Sequence, residues 1–159
     1  NLYLIQKSKK TKQMTDKYLL YLYDLPRDTV TSIKISELLK KEVKEQSFEP
    51  PQIRRDANKP FYTAVLKFSD ANDFKNAVEK FKYFEFEGKQ CRALPFDKDL
   101  LGSNRINTNK NNVFVKRLPD NMTSKDLDQV FSDKVGKVKS AKVSINGDYS
   151  SRKYGFVCF

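Results

Sequence analysis

With 159 residues the chain has room for one or two small domains, and its 31 Lys and Arg against 20 Asp and Glu leave a formal net charge of +11. That balance favours a polyanionic partner, nucleic acid ahead of a membrane surface. The absence of histidine and the presence of only two cysteines remove the commonest general base, zinc-ligand spacing and a disulfide framework.

No Gly-rich phosphate loop compensates, so neither an enzyme nor a metal or cofactor site is expected. No apolar run approaches the roughly 18–20 residues of a membrane-crossing helix, and the amino terminus carries no signal-peptide pattern. Cys91 and Cys158 lie in strand-like runs where a free thiol packs as a small hydrophobe, which fits a reducing, cytoplasmic setting.

Residues 1–17 mix Leu2, Tyr3, Leu4 and Ile5 with Lys7, Lys9, Lys10, Lys12 and Lys17. This is a basic extension, either a phosphate-touching arm or a plain tail. The alternating run Tyr18, Leu19, Leu20, Tyr21, Leu22, Tyr23 reads as a strand. Thr31 and Ser32 then offer caps to a helix whose stripe Ile35, Leu38, Leu39, Val43 is core, and Pro50 and Pro51 close the segment.

Gln52-Ile53-Arg54-Arg55 reads as a short strand with Ile53 inward and Arg54 on the opposite face. Residues 61–68 make a third strand. Ser69 or Asp70 caps a second helix with the stripe Phe74, Ala77, Val78, Phe81. A turn at Glu87-Gly88-Lys89 leads to a fourth strand, Cys91-Arg92-Ala93-Leu94, ended by Pro95. Over residues 18–96 the order is β-α-β-β-α-β, the split βαβ arrangement of the ferredoxin-like α+β fold, a four-stranded antiparallel sheet with two helices on one face.

Residues 97–111 are a polar, Asn-rich linker. The order then begins again over residues 112–159. Val113 opens a strand, Thr123 caps a helix with Asp126 three residues on and the stripe Leu127, Val130, Phe131, and residues 138–145 form a strand. Asn146-Gly147-Asp148 turns the chain into a last strand over residues 153–159. This second unit lacks the second helix and fourth strand, so part of its core and the edge of its first strand are expected to face water.

In the last strand Tyr154 and Phe156 share one face, and Arg152 leads in with a positive charge, as on a base-stacking platform; the competing reading turns the two rings toward a core. In the strand before the helix, Phe114 points outward between inward-facing Val113 and Val115. Lys116 beside it, and Lys142 on the parity opposite inward Val143, can reach phosphates or base edges.

The octamer Arg152-Lys153-Tyr154-Gly155-Phe156-Val157-Cys158-Phe159 resembles the ribonucleoprotein octamer of the RNA recognition motif family, with Lys153 where that pattern has Gly. Val113-Phe114-Val115-Lys116-Arg117-Leu118 resembles the family's hexamer. A second hexamer, Leu20-Tyr21-Leu22-Tyr23-Asp24-Leu25, begins 93 positions earlier and puts Tyr21 where Phe114 stands. In the first unit Thr63 and Val65 fill the two octamer ring positions, which leaves Tyr21, Tyr23 and Arg54 as its candidate contacts.

Across residues 18–159 the chain is similar to the first two motifs of the poly(A)-binding protein family. The likeness is strongest in Phe84-Glu85-Phe86-Glu87-Gly88-Lys89-Gln90-Cys91-Arg92, in Val113-Phe114-Val115-Lys116 and in Lys153 to Phe159. It implies single-stranded RNA lying across both sheets, with Phe114, Lys116, Tyr154 and Phe156 at adenines and Tyr21 as the matching ring in the first unit. Pro95-Phe96-Asp97-Lys98 stands where the family carries Trp-Ser-Gln-Arg, and the linker is longer.

These departures point to a divergent, yeast-like paralogue in mRNA export, translation or stability control. Its expected partners are A- or U-rich single-stranded RNA and export or translation factors, and its expected location is the cytoplasm with nuclear shuttling. The alternative is an adaptor in an mRNA particle whose first unit binds protein.

Overall fold

The computed structural model describes residues 18–96 and 111–159. The basic extension over residues 1–17, and all but the last residue of the linker expected over 97–111, lie outside them. In the first module β1 (Leu19–Leu25), β2 (Gln52–Arg54), β3 (Tyr62–Lys67) and β6 (Arg92–Pro95) form one antiparallel sheet in the order β2-β3-β1-β6. A two-stranded hairpin, β4 (Glu85–Phe86) with β5 (Lys89–Gln90), precedes β6. Glu87 and Gly88 turn it with φ of 51° and 75°, the left-handed pair that a two-residue hairpin turn requires.

Helices α1 (Ser32–Lys40) and α2 (Ala71–Lys80) start where their caps dictate. The Thr31 hydroxyl accepts from the Lys34 amide and the Asp70 carboxylate from that of Asp73, each filling an orphan donor of the first turn. The expected stripes supply the core: Ile35, Leu39, Val43, Ala77 and Phe81 are buried with Leu20, Leu22, Leu25 and Leu66, while Leu38, Phe74 and Val78 pack at the margin. Full burial of one such large side chain contributes about 1.5–3 kcal/mol.

Cys91 sits at the end of this core with no solvent exposure. Its thiol donates to the Asp24 carbonyl at 3.4 Å, and burial, aided by the nearby Asp24 charge, pushes its pKa up to about 12. The unfolded chain deprotonates this thiol near its ordinary value, so it binds fewer protons than the fold between those two values and stability falls as pH rises through the interval. Urea midpoints should therefore drop more steeply between about pH 9 and 12 in the native protein than in Cys91→Ala; parallel pH profiles would contradict this.

The second module repeats the plan with three strands and one helix. Strands β7 (Asn112–Lys116), β8 (Ser140–Ile145) and β9 (Ser151–Cys158) run in the order β7-β9-β8, with α3 (Ser124–Lys134) on one face. A reciprocal capping box joins Thr123 and Asp126 at the start of α3. Leu118, Leu127, Val138, Ala141, Val143 and Val157 form its core.

Among the described residues no strand pairs with the outer edge of β7. Two residues expected inside are exposed, Val113 at 42% and Val130 at 38%, because a single helix covers only part of the sheet's inner face. Among the described residues no helix is long and apolar enough to cross a membrane.

The hexamer repeat reappears in the backbone. Asp24 and Arg117, equivalent positions, hold φ of 65° and 59°, and the following Leu25 and Leu118 are both buried. A non-glycine residue at such angles is uncommon, so two at matching positions mark one device used twice, a kink that drops the next leucine into the core.

Candidate nucleic-acid interface

Strand alternation places Val143, Gly155 and Val157 against α3 and turns Tyr154 and Phe156 to the other face. Register puts Phe114 opposite Phe156, Lys116 opposite Tyr154 and Lys142 opposite Phe156. The rings of Phe114 and Phe156 lie 5.2 Å apart, those of Phe114 and Tyr154 5.6 Å, and those of Tyr154 and Phe156 6.2 Å. Phe114 is 49% exposed and Phe156 44%. Burial of a ring normally stabilises, so two phenylalanines held half in water on a sheet are an invitation to a ligand.

Cations border the rings. Lys116 Nζ stands 5.5 Å from the Phe114 centroid and the Arg152 guanidinium 5.7 Å from that of Tyr154. Three adjacent aromatic rings with two cations beside them can stack unpaired bases and attract phosphates without any bond-making chemistry.

Gly155 and Lys153 explain why the octamer reads as it does. A Cβ on Gly155 would stand 2.5 Å from the Lys142 carbonyl oxygen and 2.9 Å from Leu127 Cδ2. Lys153 holds φ of 62° where β9 bulges against β8, the conformation for which glycine is best suited. A left-handed non-glycine residue costs about 1–2 kcal/mol, partly offset by glycine's looser unfolded state and by the exposed Lys153–Asp120 ion pair at 2.8 Å. Lys153→Gly should raise stability by about 0.5 kcal/mol, read from urea unfolding; a loss would contradict the strain.

The first module's face is built differently. Tyr21 and Tyr23 project outward from β1 and stack at 6.4 Å, with the Arg54 guanidinium 5.4 Å over Tyr21 and that of Arg92 5.5 Å over Tyr23. Burial raises the Tyr23 pKa, the Arg92 charge working against it. Arg92 is itself buried and pairs with Asp24 at 2.8 Å. Val65, at one of the two octamer ring positions, is 4% exposed yet absent from the helix-side core, so its cover comes from its neighbours on the outer face.

Two members of this face escaped the sequence reading. Phe96 stacks on Tyr21 at 5.6 Å, and its amide donates to the Leu19 carbonyl just after Pro95, the last residue of β6. Arg92 is the other; alternation with buried Cys91 and Ala93 was the available signal for both.

Residues 113–159 match the RNA recognition motif family. The polyadenylate-binding protein, cytoplasmic and nuclear, of Encephalitozoon cuniculi is 33% identical over 96 residues, covering 60% of this chain and 18% of the relative. The RNA-binding protein MIP6 of Saccharomyces cerevisiae is 34% identical over 95 residues, covering 58% and 14%. The chain thus spans less than a fifth of these relatives.

The fold is that of a solved Rna15–Hrp1–anchor RNA complex in which interdomain RRM packing contributes to RNA recognition, with a TM-score of 0.60 at 18% identity over 90% of this chain and 80% of the other. The Hrp1 RNA-binding domain in complex with RNA scores 0.54 at the same identity and coverage. The second module thus matches the RNA recognition motif, the two modules together share the fold of tandem RRM structures, and the chain resembles the poly(A)-binding protein family.

Proposed function

We propose that the chain binds single-stranded RNA through its sheet faces, the second module supplying most of the affinity. The observation that carries this reading is the cluster of exposed Phe114 and Phe156 with half-buried Tyr154, bordered by Lys116 and Arg152. Each stacked base contributes about 1–3 kcal/mol, enough over three rings for micromolar binding before ordering costs. Lys142, in register with Phe156, adds charge at the edge of the platform. Similarity to polyadenylate-binding proteins supports a role with mRNA, and A- or U-rich sequence is the expected preference. Fluorescence anisotropy with short A-rich and U-rich RNAs at low salt tests it; the absence of binding to either rejects it.

A second reading, favoured by Thr63 and the covered Val65, makes the first module a protein contact within an mRNA particle. Under the RNA reading Tyr21→Ala weakens a long RNA several-fold, as expected for a stacking ring. Unchanged affinity in the same titration selects the adaptor reading for that module.

A further inference from the structure

Tyr83, after α2 of the first module, donates its hydroxyl to the Asp128 carboxylate on α3 of the second. The same hydroxyl accepts the Ala141 amide of β8 at 3.1 Å. Lys82 Nζ reaches the same carboxylate at 2.7 Å and the Val138 carbonyl at 3.3 Å, and Ser132 closes the remaining oxygen at 2.9 Å. Burial works to raise the Asp128 pKa, but the bonds from Lys82, Tyr83 and Ser132 outweigh it and hold the carboxyl below its usual range.

At the far end of β8 the hairpin residue Tyr149 donates to the Asp24 carbonyl at 2.7 Å. Its ring packs on Phe61 at 4.9 Å, with Lys89 Nζ 5.2 Å over it. One contact point would leave the modules free to swivel. Contacts at both ends of one strand, one built on a buried carboxylate and one on a ring pair, fix an orientation.

We propose that the flank of the first module formed by residues 82–90 with Asp24 and Phe61 is a docking surface for strand β8, and that it holds the two modules as one body before any RNA arrives. One consequence rests on the RNA-binding reading. A strand long enough to reach both faces meets them already oriented and avoids the entropy cost of ordering them.

The test uses the whole chain and the double variant Tyr83→Phe/Tyr149→Phe, which keeps both rings and removes both hydroxyls; neither residue belongs to the ring platforms. Amide 15N relaxation should give one rotational correlation time for both modules in the native chain and two shorter ones in the variant. Separate times in the native chain overturn the proposal. In anisotropy, the variant should lose about tenfold in affinity for an RNA of roughly 12 nucleotides and bind one of roughly 4 as before. Unchanged affinity for the long RNA overturns the consequence for RNA alone. Failure of the native chain to bind either RNA rejects the RNA reading alone, since the tumbling comparison still decides the docking.

Discussion

Phe114→Ala is expected to lower affinity for a short single-stranded RNA by about tenfold to a hundredfold, the loss of one stacked base at about 1–3 kcal/mol. Phe156→Ala should act similarly. The double variant should fall short of the product of the two, because the rings touch at 5.2 Å and each positions the other. Both rings are half in water, so urea midpoints should barely move, which separates lost contact from lost fold. Unaltered affinity in either single variant with an intact fold would dismantle the platform as the binding surface.

Gly155→Val should destabilise the second module by about 3 kcal/mol, at the upper end of overpacking costs. The clash at 2.5 Å is with a backbone carbonyl that the β8·β9 register fixes, so no side-chain rotation relieves it. Circular dichroism across a urea titration should show the loss, and RNA affinity should fall with it because Tyr154 and Phe156 flank the site. A midpoint equal to that of the native chain would refute the close approach of the Lys142 carbonyl and Leu127 to Gly155.

Local chemistry carried most of the fold in the sequence. Helix starts at Thr31, Asp70 and Thr123 were legible because a cap is a contact between residues three apart. Outward placement of Phe114, Tyr154 and Phe156 followed from alternation alone. Long-range pairings were not legible. Arg92 became a buried partner of Asp24 across 68 positions, which no local pattern encodes. Left-handed backbone at Asp24 and Arg117 was equally hidden, since neither is glycine, whereas at Lys153 the octamer's Gly was a hint. Val113, on the inward parity of its strand, and Val130, on the helix stripe, are exposed all the same, because burial depends on what lies opposite.

The unequal covering of the two faces orders events in time. Around Tyr21 the ring of Phe96 and the guanidinium of Arg54 already occupy neighbouring space, which leaves that ring only partly exposed. Phe114 also has a cation nearby, Lys116, yet it and Phe156 keep 49% and 44% of their surface in water and so present more open ring. Under the RNA-binding reading an arriving strand would nucleate on the second module and zip toward the first, so the encounter rate would report the more open rings and the residence time the crowded one.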